Sequence, residues 1–149
     1  MLRPVHIAGA VSNAVSNYLR LPRIPVLMGY DPMIKLIHED DVVAALLAAL
    51  TPGVRGVFNV VGPDAVPLRT LLREIGRPVI PVPGPLFEAF VRTTWRLGLS
   101  SFPPPELDHL RFVCMVDGSR FAGRCGLVPG KDLHTILHHF REVPARPLA

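Results

Sequence analysis

The chain has 149 residues, of which 49% are hydrophobic and 19% charged, with a formal net charge of +4 and a pI near 9.7. This composition excludes an intrinsically disordered chain, and the length fits one folded unit, residues 1–149. The Arg and Lys residues are spread singly, without an aromatic ladder or a zinc-finger spacing. The basic charge therefore does not indicate nucleic-acid binding.

The first part of the chain predicts short apolar strands separated by turns. Leu2–Ile7 is the first predicted strand, and Gly9 turns the chain into a short helix at Val11–Leu21, which Pro22 and Pro25 end. Two more strands follow, joined by a loop with turn chemistry, at Pro25–Gly29 and Met33–Ile37.

The joint at residues 35–50 organises the rest of the chain, because a strand runs into acidic residues and directly on into a helix. Asp40 or Asp41 is the predicted N-cap, since a carboxylate there accepts hydrogen bonds from the first-turn amides. Val42–Leu50 contains no polar residue, which predicts a helix buried on more than one side. This segment is too short to span a bilayer.

The remaining pattern alternates strands and helices. Continuous apolar strands between helices favour an α/β fold with a parallel sheet covered on both faces. The predicted strands are Gly56–Val61 and Val79–Val82; the predicted helices are Leu68–Ile75 closed by Gly76, one opening at Pro85, and short helices at Glu106–Phe112, Ser119–Cys125 and Leu133–Phe140.

Four segments resemble, in order, motifs of the extended and atypical short-chain dehydrogenases/reductases, the NAD-dependent epimerase/dehydratase family. Leu2–Gly9 resembles "L-R-P-x-N-V-Y-G", Ile37–Ala45 resembles "V-H-V-D-D-V-A", Val57–Gly62 resembles "Y-N-V-G", and Met115–Pro129 resembles "V-D-x-S-R-A-x-x-x-L-G-x-x-P". The resemblance implies the C-terminal portion of a Rossmann-like fold with a small substrate-binding subdomain.

Two features that the family needs for cofactor chemistry are missing. The sequence contains no G-x-G turn to meet the cofactor pyrophosphate, and the family's Tyr-x-x-x-Lys pair is absent, since Pro22 and Ile34 stand four residues after Tyr18 and Tyr30. The resemblance implies NAD or NADP in the complete fold. We expect no tight cofactor binding by this chain alone, and we assign no catalytic residue.

The resemblance also implies site residues. Pro4 and Val5 fall where the family's strand passes the nicotinamide, and His6 falls where many members have a substrate-binding asparagine. A hydrogen-bonded histidine at a strand end is an equal alternative for His6. Asn13 is a second candidate for the substrate, with a helix cap as the favoured alternative.

Lys35 and His38 complete the predicted substrate-binding set. Ile34 stands where nucleotide-sugar enzymes of the family have an arginine for the diphosphate, and Lys35 points to the other face of the strand. The "R-x-G-D" loop is replaced by Arg77–Pro83. These departures favour the atypical branch of the family.

Other polar clusters have simpler explanations than a functional site. His38 with Glu39–Asp41 is better explained by a capped helix start than by a metal site, and His134 with His138 lacks a third ligand. Asn59 is interpreted as an amide that closes backbone hydrogen bonds. Cys114 and Cys125 are interpreted as reduced, packed thiols.

Two classes of function remain open. The first is the substrate-side part of an NAD(P)-dependent epimerase/dehydratase or related oxidoreductase in the cytoplasm, acting on a sugar or alcohol. The second is a non-enzymatic binding or scaffold module that reuses this half-fold. In both, we expect no membrane span, and either a homo-oligomer or a partner that supplies the missing sheet.

Overall fold

The computed structural model describes residues 1–100, 102–113 and 115–142 and confirms an α/β fold. The strands are β1 Leu2–Pro4, β2 His6–Ala8, β3 Ile24–Leu27, β4 Met33–His38, β5 Phe58–Val60, β6 Ala65–Pro67 and β7 Val79–Val82. The helices are α1 Ala14–Leu19, α2 Glu39–Ala49, α3 Leu68–Ile75, α4 Gly84–Arg96, the 3₁₀ helix Pro104–Leu110, α5 Ser119–Cys125 and α6 Leu133–Glu142. None of these helices is long and apolar enough to cross a membrane.

The first extended segment pairs with two different strands. Its first half, β1, runs parallel to β5 with Arg3 opposite Asn59, and its second half, β2, runs parallel to β4 with Ile7 opposite Ile37. Strands β3 and β7 form a separate parallel pair. Within the described residues, β1 and β5 pair only with each other, so each has one unpaired edge.

One strand departs from the predicted parallel arrangement. β6 pairs antiparallel with β4, with Lys35 opposite Ala65. The sequence did not reveal β6 because it is three residues long and ends at Pro67. A two-residue-period pattern needs more length than this to be recognised.

Glycine is required where the motif loop after β5 crosses β4. A Cβ built on Gly62 would lie 1.9 Å from the Leu36 carbonyl oxygen, which no side chain can occupy. The "Y-N-V-G" motif therefore ends on a glycine for a packing reason, the close approach of this loop to the β4 backbone.

Two apolar clusters form the core. The larger lies among α1, β3, α3, α4, the 3₁₀ helix and α6, and includes Leu19, Ile24, Leu72 and Phe140. The smaller lies between β5, α2 and α5 and consists of Ile37, Ala45, Phe58, Val60 and Phe121.

The prediction that α2 is buried on more than one side is wrong. Ala45 is its only fully buried residue. An apolar surface, which we call the α2 surface, remains in solvent; it comprises Val43, Leu46, Leu47 and Leu50, which are 55%, 52%, 64% and 77% exposed. Only the inner face of the helix meets β2 and β4, because the described chain supplies no second layer against its outer face.

The predicted N-cap is also wrong, because His38 caps α2. Its imidazole Nδ1 accepts a hydrogen bond from the Asp40 amide at 3.2 Å. The Asp41 carboxylate instead accepts from the amides of Gly130 and Lys131, at 3.3 and 3.0 Å, and ties the loop before α6 to α2. The negative charges of the first turn, Glu39, Asp40 and Asp41, still interact favourably with the positive end of the helix dipole.

Glu39 is half-buried and packs against the turn after β2. Its Oε1 accepts a hydrogen bond from the Ala10 amide at 3.0 Å. Gly9 has a positive φ of 143°, and a Cβ there would lie 2.6 Å from the Glu39 side chain. The turn therefore needs glycine for both its backbone angle and its space.

We predict that Asp41→Ala destabilises the chain more than Glu39→Ala, by about 1 kcal/mol. Asp41 accepts two charge-assisted hydrogen bonds from a distant loop, whereas Glu39 accepts one from a neighbouring turn. Urea unfolding followed by circular dichroism measures the difference. Equal midpoints for the two variants would show that the tie to the Gly130 loop contributes nothing.

Candidate functional site

A cleft of about 480 Å³ opens along β1 and β2. It collects four of the residues that the sequence predicted for cofactor and substrate: Pro4, Val5, His6 and Asn13. We call it the His6 cleft; its other lining residues are Arg3, Ile7, Ala14, Val15, Asn59, Glu106, His109 and Val116.

The 3₁₀ helix brings two titratable groups to His6. The rings of His6 and His109 meet edge to face, with centroids 5.0 Å apart and planes at 79°. His109 Nε2 lies 3.6 Å from Glu106 Oε2, one helical turn away. Burial lowers the pKa of His6, the neighbouring His109 lowers it further, and Glu106 partly opposes both.

Sequence reasoning missed Glu106 and His109 because about a hundred residues separate them from His6. Their helix is anchored by the buried Leu107 and Leu110 and begins at Pro104, where a proline fits the first turn. An acid three residues before a histidine, just after a proline-rich loop, was the available signal.

Asn13 supports the alternative of a helix cap. Its Oδ1 accepts a hydrogen bond from the Ser16 amide at 2.8 Å and its Nδ2 donates to the Ile7 carbonyl at 2.8 Å. Both ends of the amide therefore join β2 to α1. A role toward substrate stays a prediction.

Lys35 and His38 are not among the residues that line the His6 cleft. Lys35 lies in the antiparallel register opposite Ala65, and the His38 ring caps α2. Their assignment to substrate stays a prediction, with a structural role now identified for His38.

Asn59 is half-buried, and its Nδ2 donates to the Asp117 carbonyl at 3.2 Å. This contact fits the predicted backbone role, although Asn59 also lines the His6 cleft. It joins β5 to the turn before α5.

The described residues contain no group of three or more His, Cys, Asp or Glu side chains that could hold a metal ion. The rings of His134 and His138 are 6.5 Å apart. Cys125 is half-buried, and Cys114 lies outside the described residues.

The cleft combines an apolar wall with an end that is lined by titratable side chains. Pro4 and Val5 offer no charge, whereas His6 is held toward its neutral form and can donate one hydrogen bond and accept another. His109 lies beside His6 and 3.6 Å from Glu106, so a second imidazole and a carboxylate border this end of the cleft. This arrangement suits a ligand bearing a hydroxyl or carbonyl group.

We predict that the His6 imidazole titrates below 6.5 and that two variants move its midpoint in opposite directions. His109→Gln should raise the pKa of His6, because it removes a neighbouring positive charge. Glu106→Gln should lower it, because it removes an attractive carboxylate. Nuclear magnetic resonance of the imidazole carbons measures both pKa shifts. Shifts of the same sign would contradict the proposed interaction of His6 with His109 and Glu106.

The lowered pKa of His6 also makes the stability of the folded chain depend on pH. As the pH falls below 6.5, the unfolded chain takes up the His6 proton before the folded chain does. Acidification below 6.5 should therefore cost stability, and His6→Asn should flatten this dependence.

Comparison with known proteins gives distant relatives of unassigned function. No protein-family model matches the chain. An uncharacterised protein of Mycobacterium tuberculosis is 35% identical over 85 residues, covering 56% of this chain and 23% of that protein. A second uncharacterised protein of the same species is 27% identical over 133 residues, 87% of this chain and 14% of the relative. The chain thus spans less than a quarter of the length of either relative.

Solved structures give a clearer match to the fold. The structure of RMD from Pseudomonas aeruginosa with NADPH matches with a TM-score of 0.62 at 17% identity, over 94% of this chain and 45% of that one. dTDP-glucose 4,6-dehydratase from Bacillus anthracis with NAD gives 0.66 at 12%, over 95% and 42%. UDP-glucose 4-epimerase from Thermotoga maritima with UDP-glucose gives 0.60 at 21%, over 95% and 45%. The chain therefore has the fold of slightly less than half of an NAD-dependent epimerase or dehydratase.

Proposed function

We propose that this chain is the substrate-side part of an NAD(P)-dependent epimerase/dehydratase or related oxidoreductase. The observation that supports it most is the His6 cleft, which gathers Pro4, Val5 and His6 on the strand that resembles the family's motif. The match to less than half of each solved enzyme agrees with a missing cofactor-binding half.

The cleft residues fit only the nicotinamide end of the cofactor. Pro4 and Val5 give an uncharged wall for a flat ring, but the sequence has no glycine-rich turn for the pyrophosphate. When bound in the complete fold, the cofactor would supply hydride transfer. This chain would position the substrate hydroxyl or carbonyl through His6, with the side chains of His109 and Glu106 beside it.

The chain by itself is not expected to be catalytic, and its partner would be a segment carrying the remaining sheet. The unpaired edges of β1 and β5 support such a partner. The small-molecule substrate, a sugar or alcohol, and a cytoplasmic location belong to the same proposal.

The α2 surface favours a second candidate, a binding or scaffold module without catalysis. An apolar face of this kind can serve association alone, whatever the chemistry of the cleft. The two candidates differ in whether an assembled complex binds NAD(P)H at the His6 cleft.

The test begins with the reading frame upstream of Met1, where the proposal expects a glycine-rich turn and a Tyr-x-x-x-Lys pair. Co-expression of that segment with this chain should give a complex that binds NADH with a micromolar dissociation constant. Pro4→Asp should weaken NADH binding about tenfold or more, whereas Pro52→Asp, an exposed proline outside the cleft, should not. An upstream frame with neither motif, or a complex without NADH binding, would favour the scaffold.

A further inference from the structure

A second, larger cavity of about 810 Å³ lies beside α1. Its walls come from α1 and the turn after it, from β7, and from α4. We call it the α4 cavity. Its size is in the upper part of the range of small-molecule sites, roughly 300–1,000 Å³.

The α4 cavity presents apolar side chains to solvent. Leu86 and Phe90 of α4 are 64% and 47% exposed, and Ile80 of β7 is 43% exposed. Beneath them Phe87 and Val91 are buried and close the floor. Large apolar side chains held open around a concave space are typical of a binding site for an apolar molecule.

Three polar side chains of this lining already bind the protein backbone. The Tyr18 hydroxyl donates to the Pro25 carbonyl at 2.7 Å, and Thr94 Oγ1 donates to the carbonyls of Phe90 and Val91. The buried Arg20 guanidinium donates to the carbonyls of Gly9 and Val11. These groups are therefore engaged in holding the walls in place.

A nucleoside diphosphate is a poor fit to the α4 cavity. Two phosphates need several cationic or amide donors, and Arg23 is the exposed cation among the lining residues that the structure describes.

We propose that the α4 cavity binds the apolar body of an elongated alcohol or ketone. Ala14 lines both this cavity and the His6 cleft, so the first turn of α1 borders both spaces. A ligand whose apolar body fills the α4 cavity can place its polar end at His6. Calling this ligand a substrate rests on the proposed function, whereas its binding does not.

Isothermal titration calorimetry of the 149-residue chain with farnesol, an isoprenoid alcohol, and separately with UDP-glucose, tests the proposal. Farnesol should bind and UDP-glucose should bind at least about tenfold more weakly. Phe90→Asp and Leu86→Asp should each weaken farnesol binding about tenfold or more, because they place a charge in the apolar wall.

Two control variants distinguish binding in this cavity from nonspecific hydrophobic binding. Leu97→Asp alters a leucine that is 65% exposed at the end of α4 outside the cavity, and Leu47→Asp alters the α2 surface. Both should leave farnesol binding unchanged, with circular dichroism confirming folding. Equal loss in the controls, absence of farnesol binding, or tighter binding of UDP-glucose would overturn the proposal. None of these outcomes depends on NADH binding by the co-expressed complex, which tests the proposed function separately.

Discussion

Titration of the isolated chain with NADH, followed by nicotinamide fluorescence, is expected to show no saturation in the micromolar range. Tight dinucleotide binding depends on a glycine-rich turn that places the pyrophosphate at a helix N-terminus. The sequence has no G-x-G turn, and the proposed cofactor contacts, Pro4 and Val5, would reach only the nicotinamide end. Contacts to one end of a ligand cannot offset the entropy lost on binding all of it.

A complete epimerase measured in parallel provides the positive control. The same preparation should also fail to oxidise alcohols or sugar nucleotides with NAD, since the Tyr-x-x-x-Lys pair is absent. A micromolar dissociation constant for NADH would contradict this expectation and would mean that the described cleft forms a cofactor site by itself.

We expect a second large effect when charges are placed on the α2 surface, namely weaker self-association of the chain. Leu47→Glu combined with Leu50→Glu should weaken self-association of the chain by about a hundredfold or more. The two leucines are 64% and 77% exposed, and burying one leucine fully contributes about 1.5–3 kcal/mol, of which 1.4 kcal/mol corresponds to a tenfold change. Introducing two carboxylates also makes the α2 surface costly to bury.

Leu97→Glu is the matched control, because Leu97 is also 65% exposed but lies at the end of α4. Sedimentation equilibrium at several protein concentrations compares the three proteins. If Leu97→Glu weakened association as much as the α2 double variant, the α2 surface would not be the contact.

The sequence was sufficient to predict those helices and strands whose apolar residues recur with a clear period over several residues. α3 was predicted to end at Gly76, and the structure places that glycine in the left-handed conformation with a φ of 78°. The fold class followed from apolar strands between helices. The resemblance then identified which strand carries Pro4, Val5 and His6.

The predictions from sequence were wrong where contacts between distant residues determine the local structure. Acidic residues before an apolar run suggested a carboxylate cap, but His38 is the residue in the extended conformation before α2, with a φ of −70° and a ψ of 145°. Asp41 was free to bind the distant Gly130 loop instead. No local pattern reveals a contact across such a separation in sequence.

The residues that line the His6 cleft were identified from the sequence only in part for the same reason. His6 was found through a motif, whereas Glu106 and His109 reach it through the packing of Leu107 and Leu110. The α4 cavity escaped prediction because its apolar residues have the same periodicity as a buried helix face.

Sedimentation of the purified wild-type chain, combined with thermal melting, tests most directly that this chain is an incomplete sheet. Among the residues that the structure describes, β1 and β5 each have an unpaired edge and the α2 surface leaves apolar area in water. We predict that the chain alone sediments as dimers or larger species and gives a single complex of defined size only with its complementary segment. A compact monomer with a cooperative melt would contradict the account.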